Sequence, residues 1–236
     1  MSVYEIEHRL RSEDVNMHRV LRTSALFRLM QESAIRHTEE LGAGREATLE
    51  RGLLWMVTLQ TVYVDKLPRY DELVTFKSWP GEAIHLLFPR YYHMLDETGA
   101  TLLKGSTYWA LVDEATRKMV FPEKYGIAVP GESTGEECPL PRPFAAGACS
   151  DSRLFTAPFS YVDLNGHMNN TRYFDLAEDC IDAAAQGRQL KEISAEYSNE
   201  VRYGESFTLS WGGSGGEYYV AGENEKKLFR LKMSYR

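Results

Sequence analysis

The sequence predicts an α+β fold built from two similar halves, each an antiparallel sheet wrapped around one central helix. The first observation is an internal repeat, because RYDELVTFKSW at residues 69–79 returns as RYGESFTLSW at residues 202–211. The second is the order of elements, since each half has one amphipathic helix followed by several strand-like runs. Two such units can pair their sheets edge to edge, which predicts a tandem arrangement.

The individual elements follow in the same order in both halves. The N-terminal residues alternate between apolar and polar types, as in a strand, and a short polar motif then precedes each helix: DVNMH at residues 14–18 and DLNGH at residues 163–167. Apolar positions spaced by three and four mark the two helices, at Leu26, Leu29, Met30, Ser33 and His37 and at Tyr173, Leu176, Ala177, Cys180, Ile181 and Ala184. The strand-like runs after them include LLWMVTLQTVYV, IHLLFPRYYHML and TLLKGSTYWALV in the first half and ISAEYSNEV, ESFTLSW and KLFRLKMSYR in the second. Each helix therefore has one apolar stripe to bury against its own sheet.

Proline content divides the chain into three parts. Residues 114–150 hold five of the nine prolines, a density typical of an irregular connector. We therefore predict an N-terminal unit at residues 1–113, a linker at 114–150 and a C-terminal unit at 151–236. The second unit has the richer polar chemistry, whereas the first has the longer apolar strands.

Composition excludes several function classes. The net charge of -7 and the lack of Lys and Arg runs argue against a nucleic-acid partner. No apolar run approaches the ~20 residues of a membrane span, and no signal peptide is recognisable. The three cysteines, Cys138, Cys149 and Cys180, form no CxxC pair, and histidine spacing of the HxH or HExxH type is absent, so neither a metal nor another cofactor is expected. These features predict a cytoplasmic protein.

Polar side chains cluster where the second helix begins. Asp163, Asn165, His167, Asn169 and Asn170 fall within eight positions. Helix capping explains one of them, but not an Asp, an Asn and a His at alternate positions, which point to one side if the segment is extended. The pattern therefore favours a functional site over capping alone.

The same residues carry a resemblance to a known family. DLNGHMNNTRY, which ends at Tyr173, resembles the D-x-N-x-H-x-N-N-x-x-Y signature of acyl-acyl-carrier-protein thioesterases of the plant and bacterial type. EYSNEV, with Glu200, looks like the family strand that carries a catalytic glutamate, and TFKSW and TYWALVDEATRK are similar to its first-half strands. The resemblance spans nearly the whole chain and implies a double hot-dog fold. Val201 departs from the cysteine that often follows the glutamate in plant members, and Leu176 replaces a usual tryptophan.

The resemblance implies a thiolester hydrolase that releases a fatty acid from an acyl carrier protein. Its catalytic residues correspond to Asp163, Asn165, His167 and Glu200. Thioester hydrolysis needs an activated water or a carboxylate nucleophile and donors for the developing oxyanion, and the match to the family gives Glu200 the role of base or nucleophile. His167 then positions the water or moves a proton, Asn165 binds the carbonyl or orients the glutamate, and Asp163 holds the network or attacks directly. Either a monomer or a homodimer satisfies this prediction.

Substrate contacts are expected in both halves. Asn169, Asn170 and Tyr173 lie beside the catalytic motif, while Trp55, Met56 and Trp79 are large side chains of the first half that can wall a tunnel for the acyl tail. Two alternatives remain open: a hot-dog hydratase or dehydratase, which uses similar polar residues, and a non-catalytic acyl-binding protein.

Overall fold

The computed structural model describes residues 2–181 and 188–236, and this part contains ten strands, three α-helices and two 3-10 helices. The strands are β1 (Tyr4–Arg9), β2 (Leu53–Val64), β3 (Leu73–Pro80), β4 (Phe88–Asp96), β5 (Thr101–Asp113), β6 (Asp151–Thr156), β7 (Leu190–Tyr197), β8 (Ser206–Ser214), β9 (Glu217–Glu223) and β10 (Lys227–Tyr235). The helices are α1 (Thr23–Glu40), α2 (Arg45–Leu49) and α3 (Arg172–Cys180), and the 3-10 helices are Pro122–Tyr125 and Phe159–Tyr161. No helix in the described part is long and apolar enough to cross a lipid bilayer.

All ten strands form one antiparallel sheet in the order β1-β3-β4-β5-β2-β7-β10-β9-β8-β6. The order of the second five mirrors the order of the first five. The halves join through β2 and β7, where Thr61 lies opposite Ser194 and their hydroxyl oxygens are 3.1 Å apart. The two predicted sheets are therefore continuous, because their edges pair as the sequence suggested.

An approximate two-fold relation between the halves passes through matching residues. Thr61 and Ser194 occupy the same place in their respective repeats, and so do Phe27 of α1 and Phe174 of α3. The rings of these two phenylalanines stack with centroids 3.7 Å apart and an interplanar angle of 2°. One hydrophobic core holds buried residues of both helices and of strands from both halves, so the two units are fused by packing as well as by hydrogen bonds.

The helix stripes are buried as predicted. All five stripe residues of α1 are buried, and Gly42, with φ of +72°, ends the helix in the left-handed conformation that glycine adopts without a steric penalty. In α3, Tyr173, Leu176 and Ala177 are buried, as is Ile181 just after the helix, whereas Cys180 is only half-buried. Ala184 lies outside the described residues. The expectation of one helix per half is incomplete, because the short α2 follows α1 in the first half.

The polar motifs before the two helices correspond in a register that differs from the sequence match. Asn16 N–H donates to Val20 O, and Asp163 N–H donates to His167 O, both at 2.9 Å. The equivalent turns therefore begin at residues 16 and 163, 147 apart, whereas aligning DVNMH with DLNGH gives a separation of 149. That alignment is wrong by two residues, because hydrogen bonding fixes where a turn begins and shared letters do not.

Residues 114–150 lie between the end of β5 and the start of β6 and include the 3-10 helix Pro122–Tyr125. Its earlier part packs on the first half, whereas Phe144 lies under Arg230 and the Ser150 N–H donates to Trp211 O at 3.0 Å in the second half. Ile127 is buried with Leu53 and Leu111, and Ser106 of β5 donates a hydrogen bond to Pro139 O at 2.7 Å. The connector is irregular in its backbone but closely attached to the sheet.

Candidate active site

The motif from Asp163 to His167 forms a tight turn. Gly166 N–H donates to Asp163 O at 3.0 Å, and Asp163 N–H donates to His167 O at 2.9 Å. Val162 and Met168, on either side, form a β-bridge. The prediction that the side chains at 163, 165 and 167 lie on one side of an extended segment is therefore wrong, although the turn still groups them.

Two local features explain the turn. Gly166 has φ of +79°, a conformation that costs other residues energy. The Asp163 side chain accepts a hydrogen bond from the Asn165 N–H at 2.8 Å, the arrangement called an Asx turn. Asp163 therefore has a structural role in shaping the motif.

His167 is paired with Glu200 by a second loop that lies against the turn. Met168 N–H donates to Val201 O at 2.7 Å, and His167 bridges Arg202, so the two backbones run side by side. As a result, His167 Nε2 lies 3.2 Å from Glu200 Oε2. The expectation that Glu200 sits on a strand is wrong, because β7 ends at Tyr197. Both side chains are mostly buried but retain some exposure, 14% for His167 and 25% for Glu200.

The two asparagines at the start of α3 have different surroundings. Asn169 Oδ1 accepts hydrogen bonds from the N–H and the O–H of Thr171, at 2.9 and 2.8 Å. Its Nδ2 approaches Asp163 Oδ2 at 3.4 Å. Asn169 therefore links the motif turn to the helix, while the Asn170 side chain faces a cavity.

A cavity of about 390 Å³ connects this polar motif with the first half. Its wall combines Asp163, Asn165, Asn169 and Asn170 with residues of α1, α2 and the first-half strands, among them Gln31, Ile35, Leu49, Trp55, Phe88 and Trp109. His167 and Glu200 are not part of this wall. The site therefore has an amide-rich face on the cavity and a His–Glu pair behind it, joined by the turn.

The predicted substrate-binding residues divide into two groups. Trp55 lines the cavity, and its Nε1 donates to Ala43 O at 2.8 Å. Met56 and Trp79 do not line it, and Trp79 is fully buried in the core. Tyr173 is also a core residue, 2% exposed, with its ring 4.2 Å from that of Phe229, and burial raises its pKa.

The three cysteines are free thiols outside this arrangement. Partial burial raises the pKa of the Cys180 thiol to about 11, and burial raises the pKa of Cys138 and Cys149 as well. A thiol is a nucleophile only when deprotonated, so these residues are poorly suited to attack. Within residues 2–181 and 188–236, no group of three or more His, Cys, Asp or Glu side chains is placed to bind a metal ion.

Sequence reasoning missed two residues outside the second half that reach the site. Arg117, in the loop after β5, donates from Nη1 to Glu200 Oε1 at 3.0 Å. Gln31 of α1 lines the cavity together with Asn170. No local pattern marks either residue, since both meet the site only through the packing of one half on the other.

The fold and the site define a class: a duplicated hot-dog protein with one polar site at the start of its second central helix. Comparison with known proteins gives the family. The model of the acyl-ACP thioesterase N-terminal domain matches residues 1–124, and the model of the C-terminal domain matches residues 147–232. The chain belongs to the acyl-ACP thioesterase family.

Individual relatives agree with this assignment. A palmitoyl-acyl carrier protein thioesterase of Arabidopsis thaliana, named chloroplastic, is 26% identical and covers 98% of this chain, which matches 61% of that protein. The chain thus spans about half to three fifths of the length of the curated relatives it matches first. Solved structures of an acyl-ACP thioesterase from Bacteroides thetaiotaomicron and a 12:0-ACP thioesterase from Umbellularia californica align over 100% of this chain and 98% of theirs, with TM-scores of 0.86 and 0.83 at 20% identity. These alignments confirm the double hot-dog fold.

Proposed function

We propose that the chain hydrolyses the thioester of a fatty acyl-acyl carrier protein, releases the free fatty acid and so ends chain elongation. The observation that carries this proposal is the pairing of His167 Nε2 with Glu200 Oε2 at 3.2 Å behind a cavity lined by amide side chains. Membership of the thioesterase family supports it.

In the proposed reaction, Glu200 is the general base. It takes a proton from water while the water oxygen attacks the thioester carbon, and His167 orients the same water through its imidazole. Collapse of the tetrahedral intermediate breaks the C–S bond. The leaving sulfur takes up the proton, with little need for acid assistance because its parent pKa is roughly 8 to 9. A direct attack by a carboxylate of Glu200 or Asp163 is the alternative form of the same hydrolysis.

The carbonyl oxygen needs donors as it gains charge. Asn165 and Asn170 line the cavity, and the start of α3 adds the favourable end of a helix dipole. Asp163 contributes indirectly, because its hydrogen bond to the Asn165 N–H fixes the position of that residue.

The acyl tail extends into the first half in this proposal. The cavity leads from the motif to Ile35, Trp55 and Phe88, and its volume of about 390 Å³ falls within the range of ligand pockets, roughly 300–1,000 Å³. The division of labour that follows assigns binding of the tail to the unit at 1–113 and catalysis to the unit at 151–236.

The proposed partner is an acyl carrier protein, with the chain acting as a monomer or a homodimer. We place it in the cytoplasm, because its three cysteines are unpaired and a reducing compartment keeps thiols free.

An assay with an acyl-acyl carrier protein tests the function directly. Release of free thiol together with free fatty acid is the expected result. Formation of an enoyl or hydroxyacyl product without thiol release indicates a hydratase or dehydratase. Tight binding of the acyl carrier protein without turnover indicates an acyl-binding protein.

A further inference from the structure

We propose that Arg117, at the start of the connector that follows β5, positions the Glu200 carboxylate for hydrolysis. This inference rests on the proposed function. Arg117 Nη1 donates to Glu200 Oε1 at 3.0 Å, while His167 Nε2 lies 3.2 Å from Oε2. Each carboxylate oxygen has its own neighbour, so both the direction and the plane of the carboxylate are fixed.

The Arg117–Glu200 contact stands apart from the other ion pairs of the described residues. Every other such pair joins two groups on the same side of the boundary between the repeats or joins β4 to the connector. Only this one brings a cation from outside the second half to the second-half motif. The second-half site therefore uses a residue that lies outside that half.

The loop that carries Arg117 is held in an unfavourable conformation. Arg117 has φ of +57°, a region that is uncommon for residues other than glycine. Asp113 enforces it, because its Oδ1 accepts hydrogen bonds from the N–H and O–H of Thr116, both at 2.7 Å, and its carbonyl accepts from the Arg117 N–H at 2.8 Å. Strained residues of this kind occur often at functional sites.

A purely stabilising role explains this arrangement poorly. The Arg117 side chain is 37% exposed and that of Glu200 is 25% exposed, and ion pairs with this access to solvent add little to stability. Positioning accounts for the contact better. The guanidinium presents its N–H donors in a rigid planar fork, so a hydrogen bond from it holds the carboxylate oxygen in one place.

The test compares Arg117→Met with Arg117→Lys in the full chain, using acyl-acyl carrier protein as substrate. Misplacement of a catalytic group by about 1 Å can cost roughly 100-fold. We therefore expect Arg117→Met to lower kcat by roughly 10- to 100-fold with KM changed less than about threefold, and Arg117→Lys to recover part of the loss. Arg19→Met is the matched control: Arg19 is exposed, has φ of +60° and forms no ion pair among the described residues. It should leave both constants unchanged.

Crystal structures of the same variants give a second readout that needs no activity. In Arg117→Met, Glu200 should occupy more than one rotamer and lose its fixed distance to His167, whereas Arg19→Met should leave it in place. A single unchanged Glu200 rotamer in Arg117→Met overturns the inference, as does a raised KM with kcat intact, which would indicate a contact to the carrier protein. If the parent chain releases no thiol but Glu200 becomes mobile in Arg117→Met, the proposed hydrolysis fails and the positioning contact stands.

Discussion

The two halves share one turn, one central helix and one set of five strands, yet they differ in the side chains held at equivalent places. His167 bridges Arg202 as Val20 bridges Arg69, so the histidine of the second half corresponds to a valine in the first. Leu21 N–H donates to Pro68 O as Met168 N–H donates to Val201 O. The residue before each acceptor is then Leu67 in the first half and Glu200 in the second. A titratable pair in one half is thus an apolar pair in the other.

The starts of the two central helices differ as well. The N–H and O–H of Thr23, at the beginning of α1, both donate to Glu178 Oε1 at 2.7 Å. Glu178 belongs to α3. In the register of the two halves, which are offset by 147 residues here, its counterpart is Gln31 of α1, which faces the cavity beside Asn170. A half-buried carboxyl group therefore occupies the helix start in the first half, whereas the corresponding residue of the second half is a neutral amide. Both halves therefore have the same fold, but only the second half has the polar site.

The largest expected effect comes from making the second half resemble the first. Glu200→Leu and His167→Val introduce the residue types that the first half already holds in the same turns, so both proteins should fold. Each should lower kcat/KM by about 100-fold or more, the scale expected when a positioned base is lost. Steady-state kinetics with acyl-acyl carrier protein and a thermal melt check this.

The reciprocal control is Leu67→Met, a change of similar volume at the matching place in the first half, which should leave turnover unchanged. Activity within threefold of the parent in a folded Glu200→Leu protein would remove Glu200 from the mechanism.

A smaller loss of activity is expected from a substitution that places a carboxyl group at the start of α3. Gln31→Glu places a carboxyl group beside Asn170, as Glu178 places one beside Thr23, and it should compete with the substrate oxygen for the same donors. Because the loss of one oxyanion donor costs roughly 100- to 1,000-fold, partial competition should lower kcat/KM by about tenfold or more.

Gln31→Ala separates two explanations of that result. It removes the amide without adding a carboxyl group, so it should be milder than Gln31→Glu. Equal losses in both variants would show that the Gln31 amide itself contacts the substrate, and unchanged activity in Gln31→Glu would show that the start of α3 is not used.

Much of the fold was predictable because its signals are local. The helix stripes of Leu26 to His37 and of Tyr173 to Ala177 depend on helical periodicity alone. The strand repeat is visible directly as similar residues in the two halves of the sequence. The turn register was not predictable, because Arg19 and Gly166 take left-handed conformations that an alignment of letters does not reveal. The contact of Arg117 with Glu200 joins residues 83 apart and exists only after the halves pack together.

The first half's own contribution is tested at its tryptophans. Trp55 lines the cavity and Trp79 does not, although both are large side chains of first-half strands. Trp55→Ala should shift preference toward longer acyl chains, by roughly fourfold in relative kcat/KM per added methylene, since each buried methylene is worth roughly 0.8 kcal/mol where space exists.

The measurement is the ratio of kcat/KM over acyl-acyl carrier proteins of graded length. Trp79→Phe is the control, and it should lower thermal stability while leaving the ratio flat. A flat ratio for Trp55→Ala, together with a shift on changing Asn170, would place the tail in the second half.

The smallest expected effect concerns the carboxyl group at the start of α1 and its dependence on pH. Burial raises the pKa of Glu178 in the folded protein above its usual value, against the lowering effect of its hydrogen bonds from Thr23. A raised folded pKa means that the folded chain holds this proton more tightly than the unfolded chain. The resulting stabilisation is fully present below the unfolded pKa, roughly 4.3, and is lost as pH rises through the folded pKa.

Glu178→Gln cannot titrate at this position. Its melting temperature should therefore rise relative to that of the parent, by a few degrees, as pH is raised from about 4 to 7. The exposed Glu40→Gln should show no such trend, and kcat/KM should stay within about twofold in both variants because neither residue lies in the second-half site. A melting temperature of Glu178→Gln that falls relative to that of the parent as pH rises would contradict the raised pKa. A large loss of turnover in Glu178→Gln would show that the start of α1 takes part in catalysis.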